Sequence, residues 1–272
     1  MNIPSFWVRE RREIAGRRVR LRGMSELSLS DARQKMEEKA LLWQKWLTGA
    51  GAPGGGVRGF LTALRNLDGG DCAYSAAILE PVEERISADD IVTRNRYGSL
   101  VLNTTTLCIV DVDRYCGFLA RLFTSRAKEE KKLAAAVRRL CEGSERMSAR
   151  LYRTAHGWRV LLQEPGLTPG CEREMEIFAA LHADPMYVKL CRSQACWRAR
   201  LSPKPFHRGL KRYPQSLSSQ DSAHDWVLEY ERATAGLGVC RLVETYGCKM
   251  SGSVLERHDQ ATGALVPELE LA

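Results

Sequence analysis

Along the chain, apolar positions fall either at helical spacing or in short alternating runs, and the two patterns trade places several times. Ala32, Met36, Ala40, Trp43 and Leu47 share one helical face and predict a helix starting near Ser30 and Asp31. The run GAGAPGGG at 49–56 ends it with a loop that neither helix nor strand tolerates. A shorter helix is expected over 59–67, and further helical content within 75–91. From Tyr97 the pattern becomes strand-like. Residues 98–102, an Asn103-Thr104 turn and 106–112 read as a hairpin. The Ala-, Lys-, Glu-, Arg- and Leu-rich stretch 128–141 predicts a surface helix. Strands at 150–153 and 158–163 flank Thr154-Ala155-His156-Gly157, and Met175, Phe178 and Leu181 mark a helix over 172–182. Residues 187–190 and 196–201 read as strands, stopped by Pro203 and Pro205. A polar loop at 216–222 precedes a helix over 223–246, which Gly236 and Gly238 interrupt. No internal repeat is present. Helices and strands alternating with hairpins predict an α+β fold. Its expected organisation is an arm at 1–25, a helical region at 26–96, a mixed core at 97–215 and a C-terminal helical region at 216–272.

Charge changes this picture. Lys and Arg number 41 against 33 Asp and Glu, a net charge of +8. Residues 1–22 hold seven arginines against Glu10 and Glu13, and the segment reads as a flexible basic arm. Residues 185–212 hold eight Lys or Arg and no acid, interleaved with apolar side chains. One-signed runs of this kind suit a polyanion, most simply nucleic acid or nucleotide phosphates. A solvated basic tail is the alternative for the first run. No apolar run approaches the ~20 residues that span a bilayer, and the arginine-rich start carries no secretory h-region. Nine scattered cysteines fit reduced thiols. The expectation is a cytoplasmic protein with no membrane partner.

Leu107-Cys108-Ile109-Val110-Asp111-Val112-Asp113 carries the most pointed chemistry. On a strand, Leu107, Ile109, Asp111 and Asp113 share one side and Cys108, Val110 and Val112 the other. Two carboxylates at the exit of such a strand repel each other unless a cation lies between them, and hard oxygen ligands suit Mg²⁺ or Mn²⁺. A strand running into a polar turn capped by Asp113 accounts for the same residues without a metal. Thr154-x-His156 lies among Arg153 and Arg159, a polar group suited to anionic oxygens. Asp184 follows a helix. Arg198 and Arg200 then project from one strand face with Lys204 close behind, forks and a point charge that a triphosphate can use. Trp197, on the opposite face, is expected in the core. Cys191 and Cys196 with His182 and His207 match no familiar zinc spacing and read as ordinary thiols. Glu256, His258 and Asp259 read as a helix-end surface.

Taken in order, Asp111-x-Asp113, Thr154-x-His156, and Asp184 followed by Arg198 and Lys204 resemble the archaeo-eukaryotic primase superfamily, particularly its primase-polymerase branch. The resemblance spans roughly residues 97–204. It implies an α/β unit coupled to an RNA-recognition-like β-sheet unit, with a C-terminal helix beyond it. It also implies metal-dependent, template-directed addition of nucleotides to a nucleic-acid 3′ end. Asp111, Asp113 and Asp184 would be catalytic and hold Mg²⁺ or Mn²⁺. Thr154, His156, Arg198, Arg200 and Lys204 would bind the nucleoside triphosphate, with template and primer as partners. Thr154 stands where the family has serine, and the interval from Asp184 to Arg198 is stretched. A catalytically inactive module that binds nucleic acid, or a metal-dependent nuclease, would use the same residue types.

Overall fold

The structure, a computed structural model, describes residues 1–51, 54, 56–67, 78, 80–113, 125–210 and 220–272, without the side chains of 65, 207 and 220–224. The chain divides into two compact units, 1–79 with 193–195, and 80–192 with 196–272.

In the first unit the expected arm is instead a β-hairpin, β1 (Phe6–Ile14) and β2 (Arg17–Ser25), in unbroken antiparallel register. Ala15 and Gly16 both take positive φ, the two-residue turn whose twist matches a hairpin. The arginines disguise the alternation of Val19, Leu21 and Gly23, which face helix α1 (Leu29–Thr48). A Cβ at Gly23 would lie 1.8 Å from the Ala32 carbonyl oxygen, so glycine lets the helix touch the ribbon. Ser28 caps α1 by accepting from Asp31 N, and Gly49 closes it in the left-handed region. The predicted apolar face is the one that packs, with Ala32, Met36 and Ala40 buried and Trp43 and Leu47 against the cluster. Helix α2 (Gly56–Asn66) follows the glycine-rich stretch.

The second unit is α+β, with two antiparallel four-stranded sheets. One has the order β3 (Val82–Arg85), β4 (Asp90–Arg94), β5 (Leu100–Thr104), β9 (Trp197–Arg200). The other has the order β11 (Cys240–Tyr246), β7 (Ser148–Thr154), β8 (Trp158–Gln163), β6 (Cys108–Val112). β8 is antiparallel to both neighbours, so β6 and β7 run the same way. Helix α3 (Arg126–Glu142) lies between β6 and β7 in the chain, which makes a split β-α-β arrangement. α4 (Glu172–Ala180) and α5 (Pro185–Gln194) follow β8. After them come α6 (Gln220–Thr234), β10 (Leu237–Gly238), α7 (Ser253–Thr262) and β12 (Glu270–Leu271), the last pairing in parallel with β10.

Several local expectations are corrected. β5 and β6 are not a hairpin: Asn103 and Thr104 lie inside β5, fully buried, and the chain then crosses to the other sheet. Asp90 holds the crossing, accepting from the hydroxyls of Thr104 (2.5 Å) and Thr106 (2.7 Å). Residues 187–190 are helical because Asp184 and Pro185 start α5, an N-cap followed by proline at the first helical position. The helix expected to Tyr246 ends at Thr234, beyond which Gly236 turns with φ +80° into β10 and β11. Within 75–91 the described structure is strand β3 and the start of β4, with residues 75–77 and 79 outside the described set. The polar 216–219 stretch also lies outside it.

The core joins both sheets. Ile109, Val110, Leu151, Val160, Leu161 and Trp197 are all fully buried, each contributing about 1.5–3 kcal/mol by leaving water. α3 covers the core with Leu133, Ala136, Val137 and Cys141 at helical spacing. Among the described residues no helix is long and apolar enough to cross a membrane.

Candidate functional site

The site is built at the end of β6. Cys108, Ile109, Val110 and Val112 are locked into the core, which fixes where Asp111 and Asp113 emerge. Asp111 is directly opposite Arg159 of β8, whose Nε donates to Asp111 Oδ1 at 3.0 Å. The guanidinium is 3% exposed and the carboxylate 34% exposed. Arg159 Nη1 also donates to the Arg200 carbonyl (3.0 Å) and faces His258 Nε2 at 3.3 Å. A guanidinium only donates. His258 Nε2 therefore accepts, which puts the ring proton on Nδ1, 2.9 Å from Asp259 Oδ1. Tyr152 donates to that same oxygen at 2.8 Å, and Arg150 pairs with Oδ2. Burial pushes the His258 pKa down and the Tyr152 hydroxyl up. A continuous hydrogen-bonded path thus runs from Asp111 to α7.

His258 and Asp259 therefore do not lie on a helix-end surface: they are 0% and 5% exposed. Val254, Leu255, His258, Asp259 and Thr262 form the buried stripe of α7. That spacing is visible in the sequence, where two polar members obscure it.

The β7–β8 hairpin brings Thr154-x-His156 to the same strand end. Thr154 N donates to Gly157 O (2.9 Å), and Gly157 N to Thr154 Oγ1 (3.0 Å). Arg126 donates to the carbonyls of Thr154 and Ala155 and lies over the Trp158 ring. A Cβ at Gly157 would meet Val112 O at 2.2 Å and Asp113 O at 2.7 Å, so the turn sits directly against the Asp113 backbone. Thr154 acts within the turn, and His156 is exposed at its tip.

Asp184 also arrives here: its N donates to Asp111 O at 2.9 Å. Its Oδ1 accepts from Tyr187 N (2.8 Å), so the carboxylate also caps α5. Glu244 is on β11, bound to Arg138 (2.9 Å) and Tyr246 (2.7 Å), and does not join the group. Arg200 joins the group through its carbonyl, which accepts from Arg159, and Lys204 lies within electrostatic reach of Asp113 and Asp111. Burial and then Arg159 lower the Arg200 pKa, against Asp111; burial and then Arg200 lower that of Lys204, against Asp113 and Asp111. Arg198 is turned to another task, with Nη2 held 2.6 Å from Glu80 Oε2. Beside Lys204 lies an aromatic ledge that the sequence reading did not single out. The Lys204 ammonium sits 5.7 Å from the Phe206 ring, which meets Tyr97 edge-on at 6.4 Å, and Arg96 covers Tyr97.

Asp111 and Asp113 have the donor chemistry for a hard divalent cation at an open strand end. Among the described residues, however, no three His, Cys, Asp or Glu side chains are gathered to hold one. Arg159 and the α5 cap occupy one oxygen each of Asp111 and Asp184. Cys191 and Cys196 are buried, with burial pushing their thiols up to about 12 and about 11, the opposite of activated metal ligands. Compared with known proteins, the chain matches no protein-family model, no curated protein and no solved structure.

Proposed function

We propose that this chain is a metal-dependent, template-directed nucleotidyltransferase of the primase-polymerase type. The observation that carries the reading is convergence at one strand end. Asp111 and Asp113, the Thr154-x-His156 turn, the Asp184 backbone, Arg200 and Lys204 come from separate elements and meet at the end of β6. The split β-α-β arrangement of β6, α3, β7 and β8 supports the RNA-recognition-like unit that the resemblance implies.

Asp111 and Asp113 would hold Mg²⁺ or Mn²⁺, which when bound stabilises charge on phosphate oxygens. Arg200 and Lys204 place positive charge beside those acids for the triphosphate. His156, at the hairpin tip, offers a ring N–H to the same phosphates. Phe206, more than half exposed, presents a flat face on which a base can stack, a contact worth about 1–3 kcal/mol. Arg159, held by His258, orients Asp111. Arg198 is better read as a structural partner of Glu80 than as a phosphate clamp.

Primer extension on a primed template, with ribo- and deoxynucleotides and either metal, tests the reading. Incorporation that disappears in Asp113→Asn supports it. A second reading, a nucleic-acid-binding module without catalysis, is favoured by the Arg159 pairing of Asp111 and the capping role of Asp184. Template binding with no incorporation under any of these conditions selects it.

A further inference from the structure

We infer that the outward face of the β1–β2 ribbon is a second nucleic-acid site, built to take the phosphates of a duplex. The register places Arg9 opposite Arg22, Arg11 opposite Arg20, and Glu13 opposite Arg18. These six residues share one face, five cations to one acid. All are exposed except Arg22, which is half-buried. The other face is spent on the fold: Val19, Leu21 and Ile14 pack on Met36 and Ala40 of α1. There Arg12 is matched by two carboxylates, Glu37 at 2.7 Å and Glu10 at 2.9 Å. Like charges directly opposite on a ladder destabilise it, and the outward face sets Arg11 against Arg20.

Helix α1 makes that concentration sustainable by holding the ribbon from behind. Lys39, buried in α1, donates to Arg22 O at 2.8 Å and ties helix to strand. The arginines are thereby displayed on a rigid two-stranded platform, with rows about 7 Å apart along each strand and about 5 Å across. A two-stranded ribbon is a shape that the duplex major groove admits, and the arginine fork suits phosphate. A membrane surface is the poorer match. Interfacial binding needs apolar side chains to insert, and the outward face offers only Trp7, half-buried at one end with Arg9 over its ring.

This site shares no residue with the β6 site, and the inference does not rest on nucleotidyl transfer. The experiment uses the full chain and a fluorescent 20-bp duplex, with affinity measured against salt. The variant is Arg11→Ala, Arg18→Ala and Arg20→Ala combined, with Lys131→Ala, Lys132→Ala and Arg146→Ala combined as the control that removes the same charge from exposed positions outside both sites. Loss of three phosphate contacts should reduce the slope of log K against log salt by about 2.7 and weaken binding at least about ten-fold at low salt. The thermal midpoint should hold or rise, because like charges are removed. The control should keep the wild-type slope. An unchanged slope in the triple variant overturns the inference. So does a loss that tracks a lowered midpoint, or one confined to phosphatidylserine vesicles while duplex binding persists.

Discussion

Asp111 and Asp113 look equivalent as a motif, but their surroundings make them unequal. Asp111 neutralises a buried guanidinium, whereas Asp113 is exposed. Both Asp111→Asn and Asp113→Asn should lower incorporation by about 10²-fold or more. Only Asp111→Asn should cost stability, about 1–2 kcal/mol in urea titration, because the asparagine still accepts from Arg159 but leaves its charge unmatched. Equal stability of the two variants would mean that the Arg159 pair contributes little. His258 gives a pH signature from the same network. Its neighbours are Asp259 on its own helix, Arg159 from β8, Tyr152 from β7 and, through Arg159, Asp111 from β6. Burial lowers its folded pKa below the unfolded value of about 6.5. Below pH ~6.5 the unfolded chain takes up the proton first. The stability tied to neutral His258 is therefore complete above that pH and is lost as pH falls through the folded pKa. His258→Gln should flatten the stability profile there, and nitrogen NMR should find the proton on Nδ1. A proton on Nε2 would break the assigned chain of donors.

At the scale of elements, what was legible was whatever depended on local pattern. The α1 face, α3, α4, the β7–β8 hairpin and the strand leading to Asp111 all follow from spacing and propensity. What was not legible depended on distant partners. Asn103-Thr104 has turn-like composition, yet Asn103 donates to Ile91 O and Thr93 Oγ1 inside a sheet. Glu244 is a strand residue because β11 finds the edge of β7, and no local signal announces that pairing. The hairpin and α5 each give an element-level test. Gly157→Ala forces the turn away from the Val112 and Asp113 carbonyls. It should destabilise the fold by about 1–3 kcal/mol and raise the nucleotide KM more than it weakens template binding. An unchanged KM would detach Thr154-x-His156 from the site. Asp184→Ala should cost about 1 kcal/mol as a lost cap, which Asp184→Asn avoids. Incorporation lost in Asp184→Asn, at full stability, would then report on the carboxylate itself. Glu244→Gln should leave most incorporation intact, since Glu244 serves Arg138 and Tyr246.

At the scale of the molecule, the segment after residue 215 is the least expected part of the architecture. It reads as a helical appendage, and the primase resemblance stops before it, yet the second unit runs through to residue 272. β11 supplies the strand beside β7, and α7 supplies His258 and Asp259 to Arg159, Tyr152 and Arg150. The segment also seals apolar surface: Cys240, Tyr246, Met250, Val254 and Leu255 all belong to the same core as β6 and α3. A chain ending at residue 215 would therefore uncover the hydrogen-bonding edge of β7, a template for aggregation. It would also leave a buried guanidinium without its histidine and expose core side chains, each at a cost of about 1.5–3 kcal/mol. These losses together are as large as the roughly 5–15 kcal/mol that holds a domain folded. The truncated chain should be insoluble, or should lack a cooperative thermal transition by near-UV circular dichroism. A soluble 1–215 chain with a sharp transition and wild-type primer extension would show that the site stands without α7, and with it that the His258–Arg159 link is dispensable for positioning Asp111.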